Sequence, residues 1–327
     1  MKKYEKRLLL ATGIAAMGAA TFAITSYLFT KKMIDLALKR DAVQDTPDMK
    51  KKKDGLRGYE DPAEFLEMLE KGKAYLYGAD TEEVSITADD GTTLIGHLLP
   101  ADNEKRLIIA MHGWRSSWVQ DFGAIAKFWN KNGCSVLFCE QRGQGLSGGD
   151  YMGFGLIERY DCASWVAWAK EEGFTCPIYL AGVSMGAATI LMAANLGIDK
   201  AVNGIIADCA YTSPHAIWKH VVENNLRLSY GLFGKIADDM CRKKIQVGTK
   251  DFSTVDAMLE NKIPTLFIHG SDDHFVPVEM TYENYKACAS EKKLLIIPGA
   301  DHGMSYFVDK EEYENTLKTF FHNYDKK

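Results

Sequence analysis

Gly182-Val183-Ser184-Met185-Gly186 lies between a short β-rich run and a helical window. A serine on such a strand-to-helix turn is strained and exposed as a nucleophile, and the start of the following helix offers backbone N–H groups to an oxyanion. Serine is a weak nucleophile unless a base takes its proton and an acid orients that base. Both can be supplied downstream in the chain order Ser, Asp, His, each on a loop after a later strand. Asp272 and Asp273 follow the run 265–270, and His302 sits on the loop after the run 294–297. There are eight histidines, and His302 is singled out by this placement. His269 reads as closing a strand end, His215 and His220 as part of a helical insertion, and His97 and His322 as surface or packing residues. A second oxyanion donor has to come from the loop after the strand ending at Met111. Trp114 of Met111-His112-Gly113-Trp114 would supply that N–H and Met185 the other, with Gly113 permitting close backbone approach and His112 bracing the loop.

These residues need a rigid frame, and the pattern from residue 82 onward provides one. Residues 84–87 and 93–99, separated by Asp89-Asp90-Gly91, read as a β-hairpin. Short apolar runs near 107–111, 135–139 and 178–180 are each followed by a helical window, near 121–132, 156–171 and 185–196. Runs at 204–207, 265–268 and 294–297 continue the theme, and a last helix is expected near 310–324. Continuous apolar strands alternating with helices predict an α/β fold, a mostly parallel sheet with helices on both faces. The alternation breaks at about 211–258, where Trp218, Tyr230 and Phe233 give apolar faces to a small helical cap.

Composition narrows the function classes. The 327 residues carry a net charge of −5, with 46% hydrophobic and 25% charged residues, so the chain is globular and has no basic footprint for nucleic acid. Its seven cysteines include no C-x-x-C pair, which speaks against a zinc site and a disulfide framework; they read as small buried hydrophobes. Neither a metal nor an organic cofactor is expected.

The first thirty residues read as a separate object. The stretch 8–30, from Leu8 to Thr30, has no charged residue and is flanked by Lys2, Lys3, Lys6 and Arg7 before it and Lys31 and Lys32 after it. At about 1.5 Å per residue it is long enough for a bilayer core of about 30 Å. A single-pass N-terminal transmembrane anchor is favoured over a cleaved signal peptide, which would make the protein secreted. The side of the membrane stays open, because basic residues flank the stretch on both sides. The division expected is 1–32 anchor, 33–78 charged helical linker with a basic run at 50–53 and a helix start at Asp61-Pro62, and 79–327 the main domain with its cap.

The motifs His112-Gly113, Glu140-Gln141-Arg142-Gly143-Gln144-Gly145, Gly182 to Gly186, His269-Gly270 with Asp273-x-x-Val276-Pro277, and Asp301-His302-Gly303 together resemble the α/β-hydrolase superfamily. Within it the chain is similar to membrane-anchored serine aminopeptidase-like or lysophospholipase-like hydrolases of Bacillus and its relatives. The resemblance covers about residues 75–325. Its D-x-x-V-P spacing implies Asp273 as the acid, with Asp272 as the fallback. Many relatives read D-x-R-G-H-G where this chain has Glu140 and Gln144, a departure in a structural loop.

The resemblance implies a serine hydrolase that cleaves an ester or thioester through an acyl-enzyme with Ser184, Asp273 and His302. A small acyl ester, a thioester or a short peptide would be the substrate, and the bilayer a partner. Two alternatives are carried: a serine aminopeptidase or amidase on the same triad, and a non-catalytic membrane-bound binding protein. Oligomeric state is not legible.

Overall fold

The computed structural model describes residues 3–40 and 62–325, with side chains from residue 21 in the first segment and 63 in the second. Among them are a long helix α1 (Lys3–Leu38) and a second helix α2 (Pro62–Tyr77). Then comes an antiparallel hairpin, β1 (Glu82–Thr87) and β2 (Thr93–Leu99), turned at Asp89-Asp90-Gly91. The alternation follows as β3 (Arg106–Met111), α3 (Trp118–Lys131), β4 (Cys134–Cys139), α4 (Glu158–Glu171), β5 (Ile178–Val183), α5 (Met185–Ala193) and β6 (Val202–Asp208). Cap helices α6 (Pro214–His220) and α7 (Tyr230–Ile245) come next, joined through a π-helical turn at Val221–Asn225. The chain ends in α8 (Thr254–Glu260), β7 (Thr265–Gly270), α9 (Val278–Ala287), β8 (Lys292–Ile297), α10 (Ser305–Val308) and α11 (Lys310–Tyr324).

The eight strands form one sheet in the order β1-β2-β4-β3-β5-β6-β7-β8, parallel from β4 to β8 and antiparallel at the β1–β2–β4 edge. Strands β4 and β7 are buried along their whole length, as continuous apolar runs require when both faces are covered. Alternate side chains of β3 enter different layers: Leu107, Ile109 and Met111 pack with Trp165, Ile190 and Met258, while Ile108 and Ala110 pack with Phe122, Trp129 and Phe320. Helix α8 lies in the first of these layers through Ala257 and Met258, so the structure puts it under the sheet rather than in the cap. Helix α2 lies in the second, with Leu69 and Leu76 buried, so the segment read as a charged linker contributes part of the core. The basic run at 50–53 and Asp61 lie outside the described residues.

The expected membrane anchor is corrected. No helix among the described residues is long and apolar enough to cross a membrane. One face of the described half of α1 packs on the protein, while Phe22, Ile24, Tyr27 and Leu28 on its other side stay exposed. Ser26, Thr30, Ile34 and Leu38, spaced by four, are buried on one face. Asp35 pairs with Lys244 of α7 at 3.0 Å and Phe29 packs on Phe233 at 5.6 Å between ring centres. The single-pass localisation falls with the anchor, and nothing among the described residues supports the bilayer partner read from Leu8 to Thr30.

Candidate active site

Ser184 stands between β5 and α5 with φ 55° and ψ −114°, a left-handed conformation that costs a non-glycine residue about 1–3 kcal/mol. The strain is imposed by packing. A Cβ at Gly186 would run into the carbonyl oxygen of Met111, so the helix start can lie against the end of β3 only with glycine there. The turn holds the serine at the carboxyl edge of the sheet, where the loops after β3, β7 and β8 converge.

The three residues expected to do chemistry meet there. His302 Nε2 lies 2.9 Å from Ser184 Oγ, and His302 Nδ1 lies 2.7 Å from Asp273 Oδ2. The loops carrying Asp273 and His302 come together because Gly270, at the end of β7, has no side chain to strike the Ala300 carbonyl. Asp272 is exposed and accepts from the Ser271 hydroxyl at 2.6 Å, away from the imidazole. Asp273 is enclosed: its Oδ1 accepts from the N–H groups of Phe275 and Val276 at 2.9 and 2.8 Å. The D-x-x-V spacing therefore has a local reason, since the carboxylate closes its own turn.

Electrostatics follow from these contacts. Burial works against charge on Asp273, but His302 and His269 beside it hold its carboxyl well below the usual range. Burial likewise opposes charge on His302; against it stand Cys209 and Asp273, and the net direction is upward. Burial pushes the Cys209 thiol up to about 11, so near pH 7 it is neutral, and Asp273 is the group that sustains an imidazolium.

Trp114 and Met185 flank the serine on the two loops expected to offer backbone N–H groups. The Trp114 loop is tightly held. Gly113 N–H donates to Asp121 Oδ2 at 2.7 Å, Arg115 N–H donates to Gln144 Oε1 at 2.6 Å, and Ser116 Oγ donates to Asp121 Oδ1 at 2.5 Å. His112 is buried with Nε2 accepting from Gln141 N–H at 3.2 Å, which leaves Nδ1 to donate to the Gly113 carbonyl at 2.9 Å. Both of its nitrogens are engaged in bracing. Glu140 pairs with His97 at 2.8 Å and accepts from Leu146 N–H, and Arg142 binds Asp161 and Asp90, which gives the Glu140–Ser147 loop its rigidity.

Two cavities reach Ser184. One, of about 450 Å³, is bordered by His302, Gly303, Asp121, Asp208 and Tyr306. The other, of about 170 Å³, is walled by α1 and the cap and touches Trp114 and Met185.

Three features escaped the sequence reading. His269, taken as closing a strand, is buried with Nε2 3.1 Å from Asp273 Oδ2 and Nδ1 2.7 Å from Thr281 Oγ1. Its i, i+4 spacing to Asp273 was the available signal. Asp121 holds the Gly113 loop across a helix start that no motif marks. Cys209 groups with Asp273 and His302 so that one ligand atom of each lies within 4.8 Å of the others. The carboxylate and imidazole are already bonded to each other and the thiol is protonated, so the arrangement has the character of a hydrogen-bonded relay beside a buried thiol.

Residues 102–261 match the model of the serine aminopeptidase S33 family. The chain is 28% identical over 232 residues to the uncharacterized protein YqkD of Bacillus subtilis, covering 69% of this chain and 74% of that one. It is 26% identical over 235 residues to the uncharacterized protein YfhR of Escherichia coli K12, covering 69% and 76%. Among solved structures, the esterase Pf2001 of Pyrococcus furiosus superposes with a TM-score of 0.61 at 24% identity over 77% of this chain and 95% of that chain. Est1E of Butyrivibrio proteoclasticus, with ferulic acid bound, gives 0.59 at 21% identity over 75% and 100%. The fold, the family match and these relatives make the chain a member of the α/β-hydrolase superfamily, of the serine-hydrolase type.

Proposed function

We propose that the protein hydrolyses carboxylic esters, thioesters included, through an acyl-enzyme on Ser184. The observation that carries this reading is the continuous chain from Ser184 Oγ through His302 to Asp273, with contacts of 2.9 and 2.7 Å. His302 Nε2 takes the Ser184 proton as Oγ attacks the carbonyl carbon. The oxyanion that forms is held by the backbone N–H groups of Trp114 and Met185, a kind of donor whose loss typically costs about 10²–10³-fold in turnover. Asp273 keeps Nδ1 protonated and stabilises the imidazolium. His302 then gives its proton to the leaving alcohol or thiol. A water, deprotonated by the same nitrogen, attacks the acyl carbon and releases the acid and Ser184.

The alternative, an aminopeptidase, needs a free carboxylate to hold a substrate amine. The carboxylates bordering the larger cavity are spent internally. Asp121 binds Gly113 and Ser116, and Asp208 is buried, pushed toward its neutral form, and bonded to Ser305 and Tyr313 at 3.2 Å each. The cap carboxylates Glu223, Asp238 and Asp239 border a separate hollow that does not include Ser184. This favours an ester over a peptide with a free amine. Turnover of p-nitrophenyl esters against aminoacyl p-nitroanilides tests the choice: the esters should be cleaved and the anilides should not. Preference for anilides would reverse it.

A further inference from the structure

The smaller cavity at Ser184 has an unusual wall. Phe29, Met33, Ile34 and Ala37 of α1 line one side of it, and Trp218 and Phe233 of the cap line the other. Helix α1 precedes the matched family region and the whole sheet, yet it closes the space beside the nucleophile. It is fastened there, not merely leaning. Trp114 Nε1 donates to the Ala37 carbonyl at 2.8 Å, and Arg115 donates to the Leu36 and Lys39 carbonyls at 2.7 and 2.5 Å. The next residues continue the seam, with Met152 N–H on the Leu38 carbonyl at 2.7 Å and Arg40 on the carbonyls of Ser147 and Gly145. Thus the last turns of α1, left with unpaired carbonyls as every helix end is, find donors in the loop that carries Trp114.

The two cavities divide the substrate between them. A leaving group must lie within reach of His302 Nε2 to receive its proton. His302 borders the larger cavity and not the α1 chamber, Met185 borders the chamber and not the larger cavity, and Trp114 stands between the two and borders both. The leaving group therefore belongs to the larger cavity and the acyl group to the chamber. With a volume of about 170 Å³ and a lining that is almost wholly apolar, the chamber suits an apolar chain.

Resting on the esterase reading above, we propose that α1 forms one wall of an acyl subsite, that this subsite takes a medium-length apolar acyl chain, and that Met33 and Phe29 set the limit on its length. Each methylene buried there is worth about fourfold in kcat/KM.

The test uses the full chain and p-nitrophenyl acetate, hexanoate, octanoate and decanoate. The unaltered protein should turn over octanoate with a kcat/KM at least tenfold above acetate. Met33→Trp, which fills the chamber, should lower octanoate turnover tenfold or more and leave acetate within about threefold. Leu28→Trp, on the exposed side of the same helix, should change neither. A chain-length profile that is the same in Met33→Trp and Leu28→Trp overturns the proposal. Should Met33→Trp not fold, Met33→Ala and Phe29→Ala enlarge the chamber, and the decanoate to octanoate ratio should rise at least threefold; an unmoved ratio overturns it. Thermal unfolding with octanoate and acetate as additives separates this inference from the esterase reading. If no ester is cleaved but octanoate, unlike acetate, raises the Tm of the unaltered chain and not that of Met33→Trp, the chamber stands and the esterase reading fails. If octanoate raises neither, the chamber is no acyl site.

Discussion

His302 Nδ1 donates to Oδ2 of Asp273 at 2.7 Å, and Nε2 of His269 lies 3.1 Å from the same oxygen. One oxygen of a buried carboxylate therefore serves the imidazole beside Ser184 and a second imidazole that never touches Ser184. The second ring is itself pinned, accepting from Thr281 at 2.7 Å and donating to the Val276 carbonyl at 2.9 Å. It fixes where the carboxylate lies.

His269 is accordingly a positioning residue. A buried hydrogen bond to a charged group is worth about 1.5–3 kcal/mol, so His269→Ala should lower kcat about 10- to 100-fold with KM little changed. The pH profile should move as well, because a loosened Asp273 supports the imidazolium less. A His269→Ala protein of lowered Tm that keeps the parent's kcat and pH profile would reduce His269 to a packing role.

The two adjacent carboxylates should behave very differently. Asp273→Asn should cost about 10⁴-fold in kcat, since an amide favours the wrong imidazole tautomer. Asp272→Asn, at an exposed side chain that faces Ser271, should stay within a few-fold. Steady-state kinetics on one p-nitrophenyl ester checks both, and the opposite ranking would move the role to Asp272.

The imidazolium cannot accept the Ser184 proton, so kcat/KM should be low at acid pH and rise as His302 loses its proton. Because His302 is held above its ordinary value of 6.5, the midpoint should lie above 6.5, and Asp273→Asn should bring it down. The same pair affects stability with a definite sign. The raised His302 value contributes stability that is full below 6.5 and is lost as pH rises through the folded value. The lowered Asp273 value contributes above 3.8 and is lost as pH falls through its folded value. The Tm difference between the unaltered protein and Asp273→Asn should therefore be largest between pH 3.8 and 6.5.

Gly186 tests the packing that shapes the nucleophile turn. Gly186→Ala drives a methyl into the Met111 carbonyl, a backbone atom that cannot step aside. Overpacking of this kind costs about 1–3 kcal/mol, or about 1.5–4.5 °C in Tm at this chain size, and fluorophosphonate labelling of Ser184 should fall with it. A variant as stable and as reactive as the parent would mean that the turn relaxes freely.

Much of the frame was legible because its signals are local. Strands such as 134–139 and 265–270 are apolar throughout, which is what two covered faces demand. The pentapeptide around Ser184 and the D-x-x-V run after β7 carry their own turn chemistry, so Ser184, Asp273 and His302 could be named before their contacts were seen. What stayed hidden depends on long-range packing. The uncharged stretch ending at Thr30 has the composition of a membrane span, and Phe22, Ile24, Tyr27 and Leu28 are exposed on it, yet Ser26 and Thr30 are buried and Phe29 packs on Phe233 of the cap. Hydrophobicity alone does not say whether lipid or protein will cover a helix. Asp121, 63 positions before Ser184, and His269 act through neighbours that only the folded chain supplies.

The most direct measurement is covalent labelling of the full-length protein with a fluorophosphonate, followed by peptide mass analysis, alongside turnover of p-nitrophenyl octanoate. One modified residue, Ser184, is expected, with labelling and turnover both lost in Ser184→Ala down to the residual that an oxyanion site alone can give. A modified residue elsewhere, or turnover that survives Ser184→Ala, would contradict it.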